Sequence, residues 1–104
     1  GDLNWWHWEN DSEEDKLNEE KLFKGEVEKI KGGNIDIAFF PVDPRLGPAF
    51  YYGGEYFIKK FKPKYFIPMH FGYKFSITSD FIHRMGDIST KIVEITRKNQ
   101  EFFL

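Results

Sequence analysis

The chain has 104 residues, of which 40% are hydrophobic and 31% are charged, and its formal net charge is −2. This length and this balance predict one small globular domain. The sequence has no cysteine, which excludes disulfides and thiolate metal sites. No apolar run has the length of a membrane span. We therefore expect a cytoplasmic protein. The acidic net charge argues against nucleic acid or an anionic membrane as the main partner.

Aromatic side chains make up an unusual 19% of the sequence. A small domain buries a limited share of its surface, so this much aromatic surface is hard to hide within it. Two interpretations follow: an unusually aromatic core, or an aromatic surface that packs against a partner. We favour the second.

The first predicted element is a helix that begins after an N-cap at Asp11 or Ser12 and stops at the glycine pair 32–33. Acidic residues at 13–15 lie in its first turn, where the helix dipole favours them. Its apolar face is predicted to consist of Leu17, Phe23, Val27 and Ile30.

Strands and helices then alternate. In chain order, we predict a strand at 35–42, a loop at 43–48, a helix at 54–61, a strand at 65–69, a helix at 77–85, a strand at 91–96 and a last strand at 101–104 that returns antiparallel. Pro68 cannot donate to a sheet, so it should lie near a strand end or at an edge. Thr78 or Ser79 is the expected N-cap of the third helix. The alternation predicts an α/β fold, with a mixed sheet and about three helices packed on it.

His70 and Asp2 have the residue types and positions that suit a metal ion. His70 follows the strand at 65–69 directly, and ligands of α/β proteins gather beyond the carboxyl ends of strands. A glycine precedes Asp2 and frees the backbone for a close approach. An incidental histidine and an ordinary Gly-Asp turn stay open as alternatives, because a catalytic zinc normally has three protein ligands.

Three segments together resemble the second half of metallo-β-lactamase-fold hydrolases: GDLNWWHWE at 1–9, FFPVDPRLG at 39–47 and YFIPMHFG at 65–72. Their order and separation extend the resemblance over essentially the whole chain. It implies half of a four-layer αββα sandwich with a dinuclear metal centre at one edge. It further implies that Asp2 matches the bridging aspartate and His70 the final histidine ligand. The metal would be zinc, two ions per complete site, or manganese or iron instead.

The family's His-x-His-x-Asp-His signature belongs to its first half and does not occur in this sequence. The resemblance therefore implies that this chain alone is inactive and that its partner is the missing N-terminal half. The small-molecule substrate stays open, because the superfamily handles phosphodiesters, lactones, thioesters and amides.

Candidates for the rim of this site come from two segments. Those of the first segment are Trp5, Trp6, His7 and Trp8, which could form a substrate wall or pack against the missing half. Asp43 and Arg45 could contact substrate or could order their own loop as a pair. His83 is predicted to lie solvated on the polar side of a helix.

Two functions outside catalysis are also considered. The chain could be a non-enzymatic assembly module that homodimerises through an exposed aromatic sheet face. It could instead bind nucleic acid through the lysines of residues 59–64. The net charge opposes that third hypothesis, and lysines are in any case favoured at a helix C-terminus, so we expect no nucleic-acid partner.

Overall fold

The fold, given by a computed structural model that describes residues 2–31 and 33–101, is a parallel sheet with helices. Its elements are α1 (Glu13–Glu28), β1 (Ile37–Pro41), a 3₁₀ helix (Pro44–Ala49), α2 (Tyr52–Phe61), β2 (Tyr65–Met69), α3 (Ser76–Met85) and β3 (Lys91–Ile92). The strand order is β1-β2-β3. The predicted α/β class is confirmed. None of the helices within the described ranges is long and apolar enough to cross a membrane.

The three described strands all run parallel. The mixed sheet that we predicted depends on an antiparallel last strand. The strand expected at 101–104 cannot be compared, since residues 102–104 lie outside the described residues. The 3₁₀ helix Pro44–Ala49 replaces the predicted loop at 43–48. Asp43 begins it by accepting a hydrogen bond from the Arg45 backbone N–H.

A phenylalanine cluster joins the three helices to one face of the sheet. The sheet contributes Phe40 and Phe66, and each helix contributes one ring. Phe40 lies 6.2 Å from Phe23 of α1 and 5.0 Å from Phe57 of α2, and Phe66 lies 5.2 Å from Phe81 of α3 (centroid distances). Much of the aromatic surplus is therefore in the core. Our expectation that part of the aromatic surface packs against a partner stays a prediction.

The opposite face of β1 is open. Successive side chains of a strand point to opposite faces, so Ile37 and Phe39 point away from the helices. Phe39 is 62% exposed, and Ile37 is exposed as well. Parallel sheets are usually covered on both faces. An apolar part of this sheet thus has no cover among the described residues.

α1 is shorter and less apolar than predicted. Its N-cap is Ser12, whose hydroxyl accepts a hydrogen bond from the Asp15 backbone N–H at 3.1 Å, as we expected. The helix ends at Glu28, before the glycine pair, where the Lys29 N–H bonds to the Glu26 carbonyl and tightens the last turn. Leu17 and Ile30 are exposed, so only the two other predicted residues, Phe23 and Val27, are buried.

β3 is also shorter than the predicted strand at 91–96, because the chain leaves the sheet to reach Thr78. The Ile95 N–H donates to the Thr78 hydroxyl at 3.0 Å, and that hydroxyl lies 3.2 Å from the Ile95 carbonyl. Thr78 is fully buried and is not the N-cap of α3, which is Phe75. β3 pairs only with the first two residues of β2, so Pro68, which pairs with Phe40 of β1, has no β3 partner and lies one residue from the end of its strand.

Gly54 tests the close packing of α2 on the core. A Cβ at this position would lie 2.8 Å from Phe81 Cζ and 3.2 Å from Phe66 Cζ. We expect Gly54→Ala to lower the free energy of unfolding by about 1–3 kcal/mol through overpacking. Urea unfolding followed by circular dichroism measures the change.

Gly25 supplies the matched control, because it lies within α1 and a Cβ there would meet no described neighbour within 4 Å. Gly25→Ala should raise the free energy of unfolding by about 0.5–1 kcal/mol through helix propensity alone. A Gly54→Ala variant as stable as Gly25→Ala would contradict the packing described here.

Candidate functional site

The parallel pairing of β1 with β2 places Asp43 beside His70. Pro41 and Met69 end the two strands in register, and the Val42 N–H continues the pairing by donating to the Met69 carbonyl at 2.9 Å. Each strand is thus followed closely by a polar residue at the same edge of the sheet. The His70 Nδ1 and Asp43 Oδ2 atoms lie 2.9 Å apart, although 27 residues separate them in sequence.

Asp43 is a buried carboxylate whose partners are Arg45 and His70. Its side chain is 1% exposed. Its Oδ1 accepts hydrogen bonds from the Arg45 backbone N–H at 2.9 Å and from Nε at 3.0 Å, and its Oδ2 accepts one from Nη2 at 2.6 Å. Burial raises the pKa of Asp43, but the hydrogen bonds from Arg45 and His70 outweigh it and hold this pKa below its ordinary value of 3.8. Asp43 is therefore ionised at neutral pH, and it forms with Arg45 the pair that could order their loop.

The ionised Asp43 determines which ring nitrogen of His70 carries the hydrogen. A carboxylate only accepts hydrogen bonds, so Nδ1 carries a hydrogen and, in the neutral ring, Nε2 keeps its lone pair. That Nε2 lies 3.5 Å from Asp2 Oδ2. The structure thus brings together the two residues that the sequence singled out as metal ligands.

The spacing of this pair suits two ligands of one metal ion. With metal–ligand bonds of about 2.0–2.1 Å in a tetrahedral site, two ligand atoms lie roughly 3.3 Å apart. Within residues 2–31 and 33–101, no group of three or more His, Cys, Asp or Glu side chains could hold a metal. The donors therefore fit part of a metal site and not a complete one.

His70 has a backbone conformation that is unusual for a side-chain-bearing residue. Its φ angle is +70°, in the left-handed region. Such conformations cost on the order of 1–3 kcal/mol and cluster at functional sites, where surrounding contacts enforce them. The hydrogen bond to Asp43 and the contact with Trp6 are contacts of this kind.

Trp6 and Trp8 extend the site. The Trp6 ring meets the His70 ring edge-on at 5.6 Å, and its Nε1 donates to the Asp2 carbonyl at 3.0 Å. Trp8 stacks on Trp6 at 5.9 Å and carries the Arg45 guanidinium over its ring at 5.6 Å. An aromatic wall therefore connects the Asp2–His70 pair to Arg45.

Trp5 and His7 face away from this wall. Trp5 packs 5.2 Å from Tyr52 and 6.1 Å from Phe23, and His7 lies 5.1 Å from Tyr52 (centroid distances). The rim candidates of residues 5–8 thus divide by alternation, with odd positions toward the helices and even positions toward His70. The residue types at 5–8 do not alternate, so the sequence contained no signal for this division.

Three clefts lie near these residues. One, about 370 Å³, is lined by Asp2, Trp6 and residues of α1. The cleft of about 440 Å³ is lined by Asp43, Pro44, Arg45, His70, Phe71 and Gly72. The largest, about 600 Å³, runs along α2 beside Trp5 and lacks both His70 and Asp43. His83 is exposed on α3, as predicted, with Nδ1 2.9 Å from the Ser79 carbonyl. The side chains with functional chemistry are concentrated in the cleft of about 440 Å³, because it holds the histidine, its carboxylate partner and the guanidinium.

Asp43→Asn tests the buried carboxylate. We expect the free energy of unfolding to fall by about 1.5–3 kcal/mol at pH 7, because hydrogen bonds to a charged group are lost. The folded-state pKa of Asp43 is lowered, so its contribution is present above the ordinary value of 3.8 and is lost as the pH falls through the folded-state pKa. The difference between the wild type and the variant should therefore shrink below about pH 4, as urea unfolding across pH would show.

Asp80→Asn is the matched control, because Asp80 is an exposed aspartate on α3. It should leave the stability within about 0.5 kcal/mol at every pH. A loss in Asp43→Asn that is the same at pH 7 and pH 3 would contradict the ionised state assigned to Asp43.

Comparisons with known proteins give no relative for this arrangement. No protein-family model, no curated protein and no solved structure matches the chain. The family likeness noted from the sequence therefore rests on the three segments that carry it.

Proposed function

We propose that this chain is the C-terminal half of a metal-dependent hydrolase of the metallo-β-lactamase fold, and that Asp2 and His70 supply part of its metal site. One observation carries the proposal: the Nε2 of His70 lies 3.5 Å from Asp2 Oδ2 while Nδ1 bonds to Asp43. Metal-binding histidines almost always donate their other ring N–H to a carboxylate, a carbonyl or water. Asp43 has that role here.

The side chains around the pair prepare it for a metal. When bound, zinc supplies a Lewis acid that activates water for hydrolysis, and manganese or iron could take the same two ligands. Asp43 holds the His70 ring in one tautomer and one orientation. Trp6 bonds to the Asp2 carbonyl and packs against His70, so it limits the movement of both ligands.

The remaining ligands have to come from elsewhere. A catalytic zinc normally has three protein ligands and one open position, and the pair supplies two. We infer that the missing N-terminal half, with its His-x-His-x-Asp-His signature, supplies the others and that this chain alone is inactive. The open face of β1, with Ile37 and Phe39, is where that half would cover the sheet.

Metal binding tests the ligand assignment. We expect the isolated chain to bind zinc weakly in calorimetry, and Asp2→Ala and His70→Ala each to remove most of that binding. His83→Ala is the control, since His83 is exposed on α3. Manganese provides a second readout, because this paramagnetic ion should broaden the His70 imidazole signals and spare those of His83.

Two results would oppose the proposal. Tight stoichiometric zinc binding by the isolated monomer would contradict the incomplete site. Equal broadening of His70 and His83 by manganese would contradict the assignment of the ligands.

The second candidate function is the non-enzymatic assembly module. It is favoured by the 62% exposure of Phe39 on a sheet face without cover among the described residues. Two copies of the chain could cover this face for each other. In this alternative, His70 and Asp43 only order the loops at the sheet edge.

Light scattering at micromolar concentration separates the alternative from the main proposal. The alternative predicts a dimer for the wild type and a monomer for Phe39→Lys, because a charge cannot be buried cheaply in such an interface. Tyr73→Lys is the control, since Tyr73 is exposed outside the sheet. A wild-type monomer that binds no apolar dye would end the alternative.

A further inference from the structure

The Arg45 guanidinium is fixed on one side and open on the other. Its Nε and Nη2 atoms bond to the buried Asp43 carboxylate, yet the side chain is 62% exposed. The guanidinium also lies over the Trp8 ring, with 5.6 Å between Arg45 Cζ and the ring centroid. An arginine side chain ordinarily loses considerable conformational entropy when it binds a ligand. Here folding has already fixed it, so a ligand would meet a preorganised group.

Donors on the open side remain available. A guanidinium has five N–H donors. Among the residues that the structure describes, Arg45 Nη1 has no hydrogen-bond partner, while Nε and Nη2 bond to Asp43. The outer edge formed by Nη1 and Nη2 can donate two parallel hydrogen bonds, which is the geometry that carboxylate and phosphate groups accept. A loop-ordering role uses the inner edge and leaves this outer edge without a function.

The same carboxylate oxygen sets the distance between Arg45 and His70. Asp43 Oδ2 lies 2.6 Å from Arg45 Nη2 and 2.9 Å from His70 Nδ1. Both side chains line the cleft of about 440 Å³, together with Gly72. An anion on the outer edge of Arg45 would therefore lie at the same cleft as the imidazole that faces Asp2.

We propose that Arg45 is an anion-binding residue of this site and that the substrate carries a carboxylate or phosphate group. The identity of the neighbouring metal site rests on the proposed function, whereas the anion site rests on Arg45, Asp43 and the cleft. Arg45 would fix the anionic end of the substrate and so determine specificity. Its binding energy would direct the rest of the substrate toward His70 and Asp2.

Nuclear magnetic resonance of the metal-free chain tests the proposal directly. Inorganic phosphate and acetate are titrated separately at constant ionic strength, and the side-chain Nε–H signals of the three arginines (Arg45, Arg84 and Arg97) are followed. We expect the signals of Arg45 and His70 to shift with saturation and those of Arg84 to stay in place. The anion that binds more tightly, phosphate or acetate, indicates whether the substrate carries a phosphate or a carboxylate group.

Variants then measure the contribution of the guanidinium. Arg45→Ala should weaken binding of the tighter anion at least tenfold, and Arg45→Lys should have an intermediate effect, because it keeps the charge and loses the fork. Arg84→Ala is the matched control. Arg84 is also an exposed arginine over an aromatic ring, 4.1 Å from the Tyr51 centroid, and its Nε lies 3.9 Å from Glu55 Oε2. It should bind both anions as the wild type does.

The proposal is overturned if neither anion shifts the Arg45 signal with saturation, or if Arg84 responds as strongly as Arg45. If Arg45→Ala fails to fold because it leaves Asp43 without its partner, the wild-type titration and Arg45→Lys decide. The manganese experiment on the same protein separates the two proposals. If manganese broadens the His70 signals but no anion binds at Arg45, only the anion site is rejected. If an anion binds at Arg45 but manganese does not broaden the His70 signals, only the metal assignment is rejected.

Discussion

The buried carboxylate of Asp43 is the constraint on which the site depends. A charge away from water is costly unless hydrogen bonds compensate it, and here Arg45 and His70 provide them. The need for compensation fixes two side chains at once. It orients the imidazole so that Nε2 faces Asp2, and it holds the guanidinium with one edge toward solvent. A single buried group thus organises both proposed binding functions.

The parallel sheet explains why this constraint can be met. β1 and β2 end in register, so the segments that follow them begin side by side. The core beneath them is aromatic, because rings from three helices pack on Phe40 and Phe66. Close packing transmits small displacements rather than absorbing them. The position of His70 relative to Asp43 therefore depends on residues that never touch the site.

The open face of β1 and the small number of proposed ligands both indicate a second structural unit. A second structural unit would cover exposed Phe39 and would add ligands to the proposed metal-binding pair. The proposed missing half satisfies both needs with one partner. A second copy of the chain would cover the sheet but would have to supply its own Asp2 and His70 as ligands, and for that reason we prefer the missing half.

Much of the local structure was determined by the sequence itself. Ser12 capped α1 as expected, β2 has the predicted bounds, and His70 follows a strand because Tyr65–Met69 is an apolar run that ends there. Other features depend on contacts between distant residues, which local propensity does not encode. The bond from Asp43 to His70 spans 27 residues, and β3 stops early because Ile95 bonds to buried Thr78. Periodicity and capping act within a few residues, whereas the burial of Asp43 and the exposure of Phe39 follow from how whole elements pack. The sequence alone therefore singled out Asp2 and His70, and only the tertiary structure decided that they meet, with Asp43 behind them.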